Sequence, residues 1–470
     1  MSGIFGVVSS RDCASLLMYG TDYHSHMGTE YGGVAILGEE FQRQIHNISH
    51  SQFKSKFIED ISRMKGNKGI GVISDSNEQP MFLNSRFGPF CIVTSGLIEN
   101  SETLARELMD EGVSFSEMCA DSVNVTELVS KIICTGKDLV DGICQVFERI
   151  EGSCSMLILN SEGIYASRDR SGYTSLVIGK KQGSWAVTSE TCAFPNNGFE
   201  TVKYLGPGEI VLINDKGMVP KKNAAERGQI CSFLWIYTGF PASNYEGINT
   251  ETVRERCGRA LAARDVDIDA DLISGIPDSG IGHALGYAMG SGKPLRRPLV
   301  KYTPGYGRSY TPPSQATRDL IATMKLVPIK EIIKGNRIVV CEDSIVRGTQ
   351  LKNFTINKLW DSGAKEVHVR AACPPLMFPC KFCLSTRSVN ELAARKAIKS
   401  IEGKDIEDVS GYIDETSEKY AEMVEWIRKD LDATTLKYQT LEDMVEAIGL
   451  SGEKLCTYCW TGKTLCSGCK

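Results

Sequence analysis

The chain has 470 residues, room for two to four domains with two the simplest division, and 42% hydrophobic, 24% charged and 8% aromatic residues make a globular composition. A net charge of −5 excludes a broad basic face for nucleic acid. No apolar run reaches the roughly 18 residues a membrane helix needs, and the opening Met-Ser-Gly-Ile-Phe-Gly-Val lacks the basic flank of a secretory leader, so the expectation is a cytoplasmic protein with neither nucleic-acid nor membrane partners.

Residues 1–220 read as short strands and turns with two or three helices. Ser101–Asp110 and Val125–Cys134 repeat apolar residues at helical spacing, whereas Ser155–Leu159, Gly163–Ser167 and Ser184–Thr188 read as strands separated by Gly or Asp turns. The polar, breaker-containing Pro220-Lys-Lys-Asn223 predicts a linker, dividing the chain into residues 1–225 and 226–470. Beyond it the pattern changes. A helix over Glu251–Arg264 precedes an apolar strand, Ala270–Gly275, which ends in a Pro-Asp-Ser-Gly turn and a helix over His283–Met289. A second strand, Arg337–Cys341, ends in an acidic pair. Helices over Ser388–Ile401 and Glu415–Asp432 follow, the latter most simply a charged, solvated face. Strands alternating with helices predict an α/β fold with a parallel sheet.

Two features point to chemistry. In Arg337-Ile-Val-Val-Cys-Glu342-Asp343-Ser344-Ile-Val-Arg347-Gly348-Thr349-Gln350 an apolar strand delivers two acids, and a loop with a hydroxyl at each end and one Gly enters a helix. Loop amides at such a helix start bind anions, and paired carboxylates suit sugar hydroxyls or Mg²⁺; a solvated acidic turn is the bland reading. The second feature is cysteine. Of 17, six fall in three C-x-x-C units, Cys380/Cys383, Cys456/Cys459 and Cys466/Cys469, which indicates a metal or redox centre. Scattered cysteines such as Cys91, Cys134 and Cys144 read as core residues, and the histidines are too dispersed to argue a site.

The acidic loop resembles the phosphoribosyl pyrophosphate (PRPP) signature of type I phosphoribosyltransferases and, more narrowly, that of the amidophosphoribosyltransferase family, with Glu342 in place of an Asp and Gln350 in place of a Thr. Ile276-Pro277-Asp278-Ser279-Gly280 resembles the family's pyrophosphate loop, and Gly307-Arg308-Ser-Tyr-Thr-Pro-Pro313 its mobile loop; Lys325 stands where the family has a phosphate-binding Lys. The resemblance implies that Ser344, Arg347, Gly348 and Thr349 hold the 5′-phosphate. Ser279, Glu342 and Asp343 bind Mg²⁺ and ribose, Asp278 and Gly280 shape the pyrophosphate loop, and Arg308 and Lys325 engage pyrophosphate.

The likeness spans nearly the whole chain. It implies an α+β N-terminal-nucleophile hydrolase (αββα) domain of class II glutamine amidotransferase type, then an α/β type I phosphoribosyltransferase domain, in a homo-oligomer. In the first domain, however, Ser2 stands where the family's catalytic Cys is exposed by loss of Met1. His26-Met27-Gly28 replaces His-Arg-Gly. Gly71-Val-Ile-Ser-Asp75 replaces the stretch carrying the glutamine clamp, and Thr94-Ser95-Gly96-Leu97 replaces the one supplying the oxyanion Asn, leaving no side-chain amide there; Asp121 is retained. The expectation is a degenerate glutaminase half, since each missing oxyanion donor alone costs about 10²–10³ in rate, with ammonia or another amine as acceptor. The alternatives are transfer to another nucleophile or a non-catalytic PRPP-binding regulator. Some members carry a [4Fe–4S] cluster, and Cys231, Cys380, Cys456 and Cys459 match its ligand positions. Cys383, Cys466 and Cys469 are unexplained by the likeness.

Overall fold

The computed structural model describes residues 2–75, 77–116, 118–119, 122–302, 326–383 and 388–464. The predicted sites Arg308 and Lys325, together with Asp121, Cys466 and Cys469, lie outside them. Among the described residues no helix is long and apolar enough to cross a membrane.

The first half is built on two antiparallel sheets. One orders its seven strands Glu200–Tyr204, Val177–Lys181, Ser184–Thr188, Gly3–Ser9, Lys68–Ser74, Tyr31–Leu37 and Phe41–Asn47. The other has six: Gly217–Lys222, Ile210–Asn214, Gly163–Ser167, Gly152–Asn160, Gly88–Ile98 and Met81–Ser85. Strand alternation assigns the layers. In Gly3–Ser9, Ile4 and Val8 point between the sheets to meet Val93, Leu157 and Ile164, while Phe5 and Val7 face the helices Ala14–Asp22 and Phe53–Arg63. Helices Ser101–Asp110, Val125–Thr135 and Leu139–Arg149 cover the other sheet through Leu104, Ile132 and Ile143. The result is a four-layer αββα stack with five α-helices among the described residues, more than the two or three expected. Both faces of Gly3–Ser9 are buried, so its sequence shows no alternation to read.

The predicted linker is corrected. Pro220 and Lys222 belong to the strand Gly217–Lys222 at the edge of the six-stranded sheet, where a proline lacking an N–H is tolerated. The irregular stretch is 223–229.

The second half centres on a parallel sheet ordered Leu272–Gly275, Arg337–Glu342, Glu366–Ala371 and Thr435–Tyr438. Val339 and Cys341 point to the helices Thr250–Ala263 and Ile281–Ser291; Ile338 and Val340 point to Ala393–Glu402 and Glu418–Leu431. The first pair of helices crosses closely at Gly258 and Gly286, where a Cβ would lie 1.9 Å from a carbonyl of the other helix. Two predicted helices begin late. Val389–Glu391 is a separate tight turn before Ala393–Glu402, and Ser417 caps Glu418–Leu431 by accepting from the Tyr420 N–H. Ile230–Cys231 pairs in parallel with Leu455–Cys456, setting Cys231 opposite Cys456.

Candidate functional site

Three groups of side chains gather what the sequence singled out. The first lies where two neighbouring parallel strands end, the usual ligand edge of an open α/β sheet. Leu272–Gly275 delivers Asp278, Ser279 and Gly280 in the turn into Ile281–Ser291, and Arg337–Glu342 delivers Glu342 and Asp343. Gly280 sits so close to the second strand that a Cβ would lie 2.0 Å from the Cys341 carbonyl oxygen. That contact brings Ser279 Oγ to Glu342 Oε1, to which it donates at 2.7 Å. Ser344 Oγ donates to Asp343.

Asp343 is 2% exposed. Burial and the Asp343 charge push the Glu342 carboxyl well above the ordinary range, and burial raises Asp343 too. The buried Arg254, whose charge favours the ionised Asp343, is committed to the carbonyls of Trp235 (2.9 Å), Tyr237 (3.1 Å) and Gly239 (2.8 Å). After the acids, Gly348 takes a left-handed φ of 78° and Thr349 opens the next helix. Two predicted side chains turn elsewhere: Arg347 donates to Glu391 at 2.6 Å, and the exposed Asp278 pairs with Lys301 at 2.5 Å.

The second group surrounds Ser2 at the start of the αββα half. Ser2 Oγ lies 3.4 Å from Ser74 Oγ, and Ser95 Oγ donates to the Ser2 carbonyl at 2.6 Å. Ser2, Gly96 and Leu97 line one cavity with Asn77, Gln79, Thr94 and Cys154. Positions 95 and 97 lack an amide, as expected, yet Gln79 brings a carboxamide into the same cavity from a different strand connection. It is engaged by Thr94, whose N–H donates to Gln79 Oε1 at 2.8 Å.

The third group is thiols. Cys231, Cys380, Cys383, Cys456 and Cys459 are all buried, and Cys380 Sγ accepts the N–H groups of Phe382 and Cys383, each at 3.4 Å. Contact with the Cys231 and Cys380 sulfurs, then burial, holds the Cys383 thiol well above its usual range. Burial, then Cys231, does so for Cys456, and Cys380, then burial, for Cys459. The nest thus unites the four predicted ligand positions and adds Cys383. Among the described residues no three His, Cys, Asp or Glu side chains converge closely enough to hold a single metal ion. The nest abuts the first half: Ser153 Oγ donates to Phe382 O at 2.6 Å, and Phe382 stacks on Tyr173 at 4.0 Å. Of the scattered cysteines, Cys91 is core, while Cys134 and Cys144 are half-buried.

Glu190 is a hub that sequence reasoning missed. Buried between the halves, it pairs with His26 at 2.8 Å and accepts from Tyr245, Ser243 (3.3 Å) and the Phe240 N–H (3.3 Å). Burial opposes ionisation, but the His26 charge and the donors at His26 and Tyr245 hold the carboxyl down at about 2. Apart from Cys192, which donates to it at 3.4 Å, its partners are distant in sequence: His26 lies far earlier, and Phe240, Ser243 and Tyr245 lie 50 or more residues later.

Residues 68–196 match the model of a glutamine amidotransferase domain. The chain is similar to the amidophosphoribosyltransferase of Methanocaldococcus jannaschii, with 31% identity over 98% of this chain and 97% of the relative. It is similar to that of Bacillus subtilis strain 168 with 29% identity over 98% and 93%. Among solved structures, the B. subtilis glutamine PRPP amidotransferase complexed with ADP and GMP superposes with a TM-score of 0.83 at 29% identity, covering 98% of this chain and 97% of that one. A structure described as the allosteric regulatory enzyme of purine biosynthesis gives a TM-score of 0.84 at 28% identity, covering 98% and 96%.

Proposed function

The chain belongs to the amidophosphoribosyltransferase family, and from that premise we propose that this phosphoribosyltransferase makes 5-phosphoribosylamine for purine synthesis from PRPP and ammonia, with glutamine no longer used. Its fold is that of the family, an N-terminal-nucleophile hydrolase domain followed by a type I phosphoribosyltransferase domain. We set the boundary in the irregular stretch, giving residues 1–225 and 226–470.

The observation that carries the reading is the Ser279–Glu342–Asp343 constellation at the ends of two parallel strands. In this assignment the Ser344–Thr349 loop, with Gly348 and Thr349 amides at its exit, takes the 5′-phosphate. Glu342 and Asp343 face the ribose hydroxyls, and Ser279 and Gly280 line the pyrophosphate, with Arg308 and Lys325 assigned to the same group. Arg347 must leave Glu391 to join them. Two adjacent carboxylates, raised above their ordinary range chiefly by burial, fit Mg²⁺, held by Glu342 and Asp343 with Ser279 beside them. When bound, that ion offsets charge on the departing pyrophosphate. The ammonia nitrogen attacks C1′, the C1′–O bond to pyrophosphate breaks, and the nitrogen sheds a proton. A site closed to water is needed because hydrolysis competes.

The loss of glutamine use is supported by Ser2, by the missing amides at 95 and 97, and by the engagement of Gln79 beside Ser2. The thiol nest fits a [4Fe–4S] cluster on Cys231, Cys380, Cys456 and Cys459: the four sulfurs are buried and near enough to act on one another, the all-thiolate donor set such a cluster takes. Its part is structural, tying the late chain to the junction of the halves. The assembly is a homo-oligomer.

The test is anaerobic. Pyrophosphate release from PRPP and Mg²⁺ is followed with ammonium, with glutamine and with neither, in the wild type and in Asp343→Asn. The proposal expects release that needs ammonium, ignores glutamine and disappears in the variant. Glutamine-driven release overturns the account of the first half; absence of release under all conditions overturns the transferase assignment.

A further inference from the structure

Arg254 has no part in the PRPP assignment, yet it stands directly behind the loop given to pyrophosphate. From the front that loop is pinned to the second strand. The Ile276 N–H donates to Cys341 O at 3.0 Å, and Gly280 closes the loop by donating to Ile276 O at 2.9 Å. Two residues on, the start of Ile281–Ser291 meets the side chains of Thr250–Ala263: a Cβ at Gly282 would lie 2.9 Å from Arg254 Cβ and 2.8 Å from a Glu251 carboxylate oxygen. Residues 280–282 are thus wedged between the strand end that delivers Glu342 and Asp343 and the buried Arg254.

Arg254 can act as a wall because its own place is fixed. Its guanidinium spans the carbonyls of Trp235, Tyr237 and Gly239, and His283, the neighbour of Gly282, donates from Nε2 to Ile236 O at 3.2 Å. Both helices therefore grip one turn of backbone. A planar fork of N–H donors suits three carbonyls in fixed directions, whereas the ammonium of a lysine is a point charge on a flexible stem. Burial works against the guanidinium charge, and the Asp343 and Glu251 charges sustain it.

We propose that Arg254 is a positioning residue for the pyrophosphate arm of PRPP: braced on the turn 235–239, it sets through Gly282 how loop 276–280 stands against Glu342 and Asp343. The 5′-phosphate loop follows the other strand and does not run through this brace. The inference rests on the assignment of loop 276–280 to pyrophosphate and adds the residue that holds it.

Calorimetry on the full chain, with Mg²⁺ and no ammonium, compares PRPP with ribose 5-phosphate, which has the same phosphate and sugar but no pyrophosphate. Arg254→Lys removes the fork, and Gly282→Ala keeps Arg254 but sets a methyl against it. Each variant is expected to bind PRPP about tenfold more weakly, the effect of misplacing one hydrogen bond to a charged group, and ribose 5-phosphate within about twofold of wild type. A general loss of structure would weaken both sugars together. Should Arg254→Lys accumulate unfolded, Gly282→Ala, which removes no hydrogen-bonding group, carries the comparison alone. The inference is overturned by PRPP affinity within about twofold of wild type in either folded variant, or by equal weakening of the two sugars. A wild type that binds ribose 5-phosphate as tightly as PRPP overturns the pyrophosphate assignment itself, and one that binds neither overturns the transferase reading; the inference falls with both.

Discussion

Replacing Glu190 with Gln keeps the side-chain volume and removes the charge on which the hub depends. The folded protein holds this carboxyl at about 2 against an ordinary 4.5, a difference corresponding to about 3 kcal/mol. Because the folded value is depressed, the contribution is fully present above pH 4.5 and is lost as pH falls from 4.5 towards 2. Glu190→Gln has no such contribution at any pH. It should therefore unfold up to about 3 kcal/mol more easily, about 3 °C lower in Tm for a 470-residue unit, with the gap shrinking below pH 4.5. Urea unfolding of both proteins at pH 7, 5 and 4 reads this directly. A gap under about 0.5 kcal/mol at pH 7, within the range of an ordinary surface change, refutes the reasoning; so does a gap that widens on acidification.

Four further outcomes follow from the same structure. Burial lowers His24 to about 4 and His283 to about 3 from an ordinary 6.5; the unfolded chain takes up those protons first, so stability falls as pH drops from 6.5 towards 4, and His24→Gln/His283→Gln should flatten Tm between pH 6.5 and 5. Ser279→Ala removes the donor to Glu342 Oε1 and should lower kcat/KM for PRPP about tenfold in the pyrophosphate assay, the effect of one hydrogen bond to a charged group. Ser2→Ala should leave the ammonium-dependent rate within about twofold of wild type, with glutamate release from glutamine absent in both. Cys380→Ser should reduce iron and acid-labile sulfide to under about half of the wild-type content, whereas Cys383→Ser retains them, measured colorimetrically on anaerobically purified protein.

What the sequence made readable was local. Gly163–Ser167, Ser184–Thr188 and Ser101–Asp110 have the predicted bounds because turn residues stop them on both sides. Arg337–Glu342 showed itself as an apolar run ending in acids, since a strand buried on both faces and pointing at a ligand edge has that pattern. Gly3–Ser9 and Phe41–Asn47 were not legible, one buried throughout and the other a polar, half-exposed edge strand. Pro220 misled because a breaker also suits a sheet edge. At the candidate site, Ser279, Glu342 and Asp343 came from motifs and the structure brings them together. Neither Glu190 nor Gln79 was assigned a site role from the sequence. Each acts through partners from other strands or from the second half, and only the assembled register reveals that Gln79 faces Thr94.

The pairing of Ile230–Cys231 with Leu455–Cys456 has a consequence for how the protein is made. Synthesis runs from one end, and domains fold as they emerge, so the αββα half is complete long before residue 455 leaves the ribosome. Throughout that interval Phe233, destined to stack on Trp460 at 4.9 Å, awaits the late-emerging chain. The segment from 230 to 233 thus waits for partners that emerge well over 200 residues later. A chain truncated before Cys456 should display it, and chaperones that recognise short apolar segments should retain that truncated product while releasing the full-length one.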